Sequence, residues 1–269
     1  MVICKATTVI SGYIFGFVQP SLATEIHVSD TKSLISAIEK ITLLLTPYLL
    51  PEQVNELKNL PKNNVLDVIK AISIIVHGIQ VSVGIPIFGD AHISRKSLHN
   101  RKIEKAERYI FQVIFPSFEP KATKLVIEWL IPMLNTLEAL VVEQETFTLQ
   151  QQKIFDKVLA NLSFAAPGGT NNIRFIQAAY ALNITVIPLP GGLLQYGWGS
   201  KARCFNSSIT DETPSIGVAQ AKNKLATNAL LRLGGIPVPD GGIVNSSQHA
   251  LALATTIGFP VVIKPVVIV

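Results

Sequence analysis

The sequence predicts an α/β protein in which an N-terminal α+β module, residues 1–148, is followed by a parallel βαβ unit. Before residue 149, helices with one apolar face and strands follow each other in no regular order. After it, helix and strand alternate strictly around a glycine-rich turn. Hydrophobic residues make up 48% of the 269 residues and charged ones 15%, which is typical of a folded chain with a buried core.

The first 24 residues allow two interpretations. Lys5, an apolar run and Ser21-Leu22-Ala23 resemble a secretory signal. Glycines and Pro20 interrupt the run, however, and apolar character resumes at residues 26–28. This pattern favours two short strands around a proline turn, and with them a cytoplasmic protein.

The rest of the module reads as helices and strands of ordinary length. The predicted helices are residues 30–45, 51–60, 64–76 and 120–142, and the predicted strands are residues 80–88 and 108–115. None of these segments contains a recognisable catalytic pattern.

Residues 149–212 predict the parallel unit. A helix over 150–161 leads to an apolar strand at 162–165, a turn containing Gly168-Gly169, a helix to Leu182 and a strand at 184–189. This order predicts adjacent parallel strands with a right-handed crossover. The two glycines either cradle an anion at a helix N-terminus or form a plain tight turn.

Residues 213–269 continue the alternation. We expect a helix over 215–233, a turn, a helix from Ser246 or Ser247 to Ile257, and a buried strand at 261–263 that ends in Lys264. Taken alone, Lys264 reads as an ordinary strand-end lysine and Lys224 as a solvated residue midway along a helix.

Composition argues against several functional classes. The chain has 23 Lys and Arg against 18 Asp and Glu, a mild excess without the aromatic interleaving of a nucleic-acid surface, and it suits anionic ligands. Its 2 cysteines and 5 histidines show no disulfide or metal-ligand spacing, and the cysteines fit a reducing compartment. No apolar run is long enough to predict a membrane span.

Several sequence blocks carry a resemblance to a known family. They are LLQYGWGSKAR at 193–203, the segment 207–244 around AQAKNKLATNALLRLGGIPVPDGG, and IGFPVVIKP at 257–265. In this order and spacing they resemble the ATP-grasp region of cyanophycin synthetases and related amide ligases. The resemblance covers about residues 165–265, so residues 213–269 are interpreted as the start of an incomplete ATP-grasp domain.

The resemblance implies particular site residues. Lys224, in the helix before the hinge at 235–239, and Lys264, after IGFP, match the two lysines that contact ATP in the family. Asn223 stands where the family usually has Asp. Arg203 matches a basic run, and it either touches an acidic substrate or covers a domain seam. No catalytic residue and no metal ligand can be assigned.

The function implied is an ATP-dependent carboxylate–amine ligase that joins amino acids or peptides through an acyl phosphate. It would use ATP and Mg²⁺, with the magnesium ligands expected beyond the end of this chain, so we expect the chain alone to be inactive. Nucleic-acid and membrane partners are not expected, whereas a homo-oligomer is compatible with the sequence. The alternative is a non-catalytic remnant or interaction module on an α/β scaffold.

Overall fold

The structure is a computed structural model that describes residues 1–10, 16–29, 31–61, 63–96, 109–139 and 146–265. It divides into two compact units, Met1–Ser208 and a second that begins at Ile209. The division at residues 148 and 212 inferred from the sequence stays a prediction.

The first unit contains a four-stranded antiparallel sheet. Its strands are β1 (Val2–Ile10), β2 (Ser21–Val28), β3 (His92–Arg95) and β4 (Tyr109–Pro116), in the order β1-β2-β4-β3. Ile26 of β2 faces Phe111 of β4, and both side chains are buried. The prediction of two strands near the N-terminus is therefore confirmed, and β2 occupies a central position.

Four helices belong to the same unit as this sheet. They are α1 (Thr31–Leu45), α2 (Pro51–Asn59), α3 (Val65–Ser82) and α4 (Pro120–Ala139). Helix α4 contacts β1 and β2, and it also contacts α1 and α3. Ile38, Ile72 and Ile127, one from each of the helices α1, α3 and α4, are at most 1% exposed and form part of the core. The predicted end of α4 at residue 142 lies outside the described residues.

Helix α3 corrects the strand predicted at residues 80–88. The helix continues to Ser82, and Gln80 lies inside it with its amide donating to the Val76 carbonyl at 2.9 Å. Gln80 is 1% exposed and also accepts a hydrogen bond from Thr123 at 2.8 Å. A short apolar run fits a buried helix as well as a strand, so its period alone could not decide between them.

Among the described residues, α3 is the helix whose length and composition would suit a membrane span. However, 67% of its 18 residues are buried inside the fold. Ile69, Ile72 and Ile75 have no exposed surface. These features are those of the core helix of a globular unit.

The remainder of the first unit contains two helices and a small sheet. The helices are α5 (Leu149–Ser163) and α6 (Thr170–Ala181), and the strands are β5 (Val186–Pro188), β6 (Leu194–Tyr196) and β7 (Arg203–Asn206). Strand β5 pairs with β6, and β6 pairs with β7, in each case antiparallel. Short 3-10 turns at Pro190–Gly192 and Gly199–Lys201 connect the strands.

The parallel βαβ unit predicted for this region is not formed in the described chain. Residues 162–165 are not a strand, because Leu162 and Ser163 complete α5 and the chain then turns. Phe155, Val158 and Leu162 have helical spacing and are all buried, while Phe164 is 88% exposed. The apolar run thus belongs to the buried face of a helix. The broad class, mixed α/β, is confirmed, but the sheets are antiparallel.

The second unit is built mainly of helices. It contains β8 (Ile209–Thr210), α7 (Ser215–Lys222), α8 (Lys224–Leu233) and α9 (Ser247–Ile257). The single helix predicted at 215–233 is two helices, and the buried strand predicted at 261–263 is absent. Val262 is 83% exposed and Ile263 73% exposed. Ala254 is the one buried apolar residue in the part of this unit that the structure describes.

Candidate functional site

Lys224 is the first residue of α8. The helix begins here because Asn223 is extended, at φ −97° and ψ 104°, and its side-chain oxygen accepts from the amides of Leu225 and Ala226, each at 3.1 Å. These amides have no carbonyl partner within the helix, so an asparagine cap stabilises the helix start. The sequence-based placement of Lys224 midway along a helix was therefore wrong, although Asn223 itself is a recognisable cap signal.

The hinge after α8 is held against the helix that precedes it. Gly235 has a φ of +74°, which a glycine adopts without strain, and its amide donates to the Arg232 carbonyl at 3.0 Å. Arg232 pairs with Asp240 at 2.8 Å. The side-chain amide of Asn228 donates to the Pro239 carbonyl at 3.2 Å. Two side chains of α8 thus fix the far end of the hinge.

The Lys224 side chain reaches the segment that contains Lys264. Its ammonium Nζ donates to the carbonyl of Pro265 at 2.8 Å, across 41 positions of sequence. Pro265 directly follows Lys264, so the start of α8 and the end of the IGFPVVIKP block lie side by side within the second unit. Two segments singled out from the sequence are brought together here.

Lys264 itself is exposed at the end of an irregular segment. The predicted strand before Lys264 does not form in the structure. The backbone next to Lys264 is instead contacted by Lys224, through the carbonyl of Pro265. That contact joins Lys224 to the backbone of the residue after Lys264, so it brings the two segments together at the level of the chain.

Arg203 lies in the first unit, at the start of β7. Its guanidinium Nη1 donates to the Ala202 carbonyl at 3.2 Å, and the residue is exposed. Strand β7 pairs with β6, where Arg203 faces Tyr196. This placement is compatible with both roles considered for Arg203, contact with an acidic substrate and cover of a domain seam.

The glycine pair 168–169 forms a turn into α6. Gly169 has a φ of +80° and precedes the first helical residue, and the Asn172 amide donates to the Gly168 carbonyl at 2.6 Å. The Asn172 contact closes the turn within the chain, which favours the tight-turn interpretation. In the described residues no group of three or more His, Cys, Asp or Glu side chains is arranged to hold a metal ion.

No protein-family model matches the chain. Part of it is similar to known proteins. Cyanophycin synthetase of Trichormus variabilis is 36% identical over 74 residues, which is 27% of this chain and 8% of that protein. Cyanophycin synthetase of Geminocystis herdmanii is 32% identical over 99 residues, 36% of this chain and 11% of that protein.

A second kind of protein shares a shorter stretch. The large chain of carbamoyl phosphate synthase from Thermus thermophilus is 40% identical over 53 residues, 20% of this chain and 5% of that protein. The stretch of this chain that matches the cyanophycin synthetases spans only about a tenth of their length, 8% in one and 11% in the other. Part of this chain is therefore similar in sequence to cyanophycin synthetases, as its motifs predict, and also to carbamoyl phosphate synthase large chains.

Proposed function

We propose that this chain contributes to ATP-dependent ligation, with Lys224 and Lys264 as contacts to the phosphates of ATP. The proposal is supported by the partial similarity to cyanophycin synthetases and carbamoyl phosphate synthase, because both kinds of protein belong to the ATP-grasp ligases. On this proposal the residues from 213 onward are the first elements of an ATP-grasp domain.

One observation carries the proposal. The Lys224 ammonium donates to the carbonyl of Pro265 at 2.8 Å, and Pro265 is the residue that follows Lys264 in the chain. Ammonium groups act as compact point charges, and two of them near one another neutralise phosphate charge effectively. When a nucleotide binds, a phosphate oxygen replaces the Pro265 carbonyl as the partner of Lys224.

The proposed chemistry is formation of an amide or peptide bond. ATP phosphorylates a carboxylate, and an amine displaces phosphate from the resulting acyl phosphate. Lys224 and Lys264 bind and orient the phosphates, and they offset the negative charge during transfer. Mg²⁺ would supply further neutralisation of phosphate charge in such a reaction, and its ligands would come from outside the described residues, which contain no cluster of three or more His, Cys, Asp or Glu side chains.

The remaining parts of the proposal concern substrate, state and location. An amino acid or a peptide is the substrate, and Arg203 is the candidate contact to its acidic group, because a guanidinium binds a carboxylate with two parallel hydrogen bonds. The proposed location is the cytoplasm, and a homo-oligomer is compatible with the proposal. The cytoplasmic location is supported by Cys4 and Cys204, which are both free thiols.

Isothermal titration calorimetry of ATP with the full chain tests the nucleotide site. We expect a dissociation constant of about 1 mM, and a weakening of about fivefold to tenfold for Lys224→Ala and for Lys264→Ala. Lys222→Ala is the matched control, since Lys222 is an exposed lysine at the end of α7, two residues from Lys224. Equal affinities for all four proteins would overturn the assignment of these lysines.

The second candidate function, an interaction module without catalysis, is favoured by a different observation. Leu233, Val262 and Ile263 are 86%, 83% and 73% exposed, and large exposed apolar side chains mark surfaces that associate. The same titration separates the two functions. A chain that does not bind ATP, yet sediments as an oligomer that Leu233→Ser and Val262→Ser dissociate, acts as an interaction module.

A further inference from the structure

A cavity of about 810 Å³ opens in the first unit, away from the residues considered above. It lies between α2, α3 and the pair of strands β3 and β4, and residues from all four elements line it. Its volume falls within the range of about 300–1,000 Å³ that is usual for small-molecule sites. Neither Lys224, Lys264 nor Arg203 contributes to it, so any ligand it holds is independent of the proposed nucleotide site.

The inner wall of the cavity is mostly apolar, with the buried polar residues Ser73 and Gln80 beside the apolar ones. Ile74 and Val81 from α3, Ile87 from the following loop, Ile93 from β3 and Phe115 from β4 line it. Ile87 and Phe115 are 7% and 3% exposed, so they belong to the packed core and give the wall a fixed shape. Such a wall accepts a hydrocarbon or aromatic body by removing its surface from water.

The outer part of the cavity is acidic. Glu52 and Glu56 of α2 and Asp90 of the loop before β3 line it, against one cation, Lys70 of α3. All four side chains belong to exposed residues, so they surround the entrance rather than the inner wall. Partial burial chiefly, and the nearby Asp90 charge to a smaller extent, raise the pKa of Glu56, so a carboxylate already lies close to other negative charge at the entrance.

His77 does not offset this negative charge. It is partly buried in α3 and lines the cavity, and its ring hydrogen-bonds the backbone of Ile87. Burial is the largest cause of a lowered pKa for His77, so the imidazole is neutral at pH 7. At that pH the cavity therefore has three carboxylates and one ammonium among the ionisable groups around its entrance.

We propose that this cavity binds a small organic cation, a primary ammonium group attached to an apolar body. The body packs against Ile74, Ile93 and Phe115, and the ammonium lies at the entrance between Glu56 and Asp90. Because Glu52, Glu56 and Asp90 line the cavity against the one ammonium of Lys70, a cation placed there is attracted, whereas an anion is repelled. A neutral ligand of the same shape gains only the apolar contacts.

The proposal is tested with 2-phenylethylammonium and two matched probes, 2-phenylethanol and 3-phenylpropanoate. Each is titrated at pH 7 into the full ¹⁵N-labelled chain, and binding is followed by NMR. We expect saturable chemical-shift changes at the backbone amides of His77 and Asp90 with the ammonium. Binding of the alcohol should be at least fivefold weaker, and the carboxylate should not bind. Equal affinity for ammonium and alcohol, or the absence of saturable shifts with the ammonium, would overturn the proposal.

A double variant tests where the ammonium binds. Glu56→Gln combined with Asp90→Asn keeps the size and shape of both exposed side chains, and we expect this double variant to weaken 2-phenylethylammonium binding about tenfold. Glu128→Gln is the control, because Glu128 is an exposed carboxylate of α4 that does not line the cavity. Unchanged affinity in the double variant, with an unchanged circular dichroism spectrum, would contradict the placement of the ammonium. Equal weakening in the Glu128 variant would show that the cation senses only the net charge.

Discussion

Lys224 and Pro265 are joined by a hydrogen bond of 2.8 Å from the lysine ammonium to the proline carbonyl. This contact closes a loop that contains the hinge, helix α9 and Lys264. Because the contact is exposed, the carbonyl holds the ammonium only by competing with water. The contact therefore keeps the Lys224 side chain next to the segment that contains Lys264, and it leaves the ammonium able to change partners.

The cap at Asn223 is expected to hold the start of α8. Asn223→Ala removes the oxygen that accepts from the amides of Leu225 and Ala226, which costs about 1 kcal/mol. Hydrogen exchange at these two amides should become about fivefold faster. Asn223→Asp is the control, since it keeps the acceptor and adds a negative charge that the helix N-terminus favours. Equal exchange rates in the alanine variant and the wild type would show that the cap contributes nothing.

Thr123 is expected to contribute strongly to the stability of the first unit. Its hydroxyl donates to Gln80 at 2.8 Å and lies 2.7 Å from the Ser117 hydroxyl, and all three residues are buried. Thr123→Val leaves buried polar atoms without partners, so the free energy of unfolding should fall by about 1–3 kcal/mol in urea titrations. Thr136→Val on the exposed side of the same helix, α4, should change it by less than about 0.5 kcal/mol. Similar losses at both positions would contradict this account of the network.

Glu25 makes the stability depend on pH. Hydrogen bonds from Lys96, at 2.7 Å, and from His27 lower the pKa of Glu25 from 4.5 to about 2. Its carboxylate therefore stabilises the folded state above about pH 4.5, and this contribution is lost as the pH falls through about 2. Thermal unfolding should show Glu25→Gln to be less stable than the wild type at pH 7 but nearly equal at pH 2.

Glu128→Gln provides the control for this pH dependence. Glu128 is a 61% exposed partner of Lys124, at 3.6 Å, and surface pairs of this kind contribute little to stability. The midpoint of its unfolding should match that of the wild type at both pH values. If the difference in unfolding midpoint between Glu25→Gln and the wild type is the same at pH 7 and pH 2, the charge of the Glu25 carboxylate is not the cause of that difference.

Exposure separates two apolar positions that look alike in the sequence. Ile72 has no exposed surface, so Ile72→Ala should lower the free energy of unfolding by about 2–5 kcal/mol. Val262 is 83% exposed, and Val262→Ala should change it by less than about 0.5 kcal/mol. Urea titrations of both variants check this difference. A loss of more than about 1 kcal/mol at Val262 would indicate that the segment is buried after all.

Helical periodicity was the most informative signal in the sequence. It predicted α1, α2 and α6 with borders within a few residues, because each has an apolar face and a clear start or stop such as Pro51. It failed at residues 80–88 and 162–165, where the first residues of each apolar run complete a buried helix and the chain then turns instead of forming a strand. At the first of these positions a tertiary contact favours the helix, because Gln80 accepts a hydrogen bond from Thr123 on α4.

The role of the candidate site residues stays a prediction from the sequence. The motif blocks singled out Lys224 and Lys264, and the similarity to cyanophycin synthetases agrees with that resemblance. The break of the helix at Asn223 was missed, because Ala, Lys and Leu on either side are good helix formers and hide the local cap. The cavity beside His77 could not be predicted, since its lining comes from four elements that are distant in sequence.

The most direct test of the central claim compares ATP with adenosine, which lacks the phosphates. Affinities for both ligands are measured for the wild-type chain and for the double variant Lys224→Ala with Lys264→Ala. If the two lysines bind phosphate, the wild type prefers ATP by at least about tenfold, or about 1.4 kcal/mol, and the double variant loses this preference while its affinity for adenosine stays the same. A preference for ATP that survives in the double variant would contradict the proposed nucleotide site.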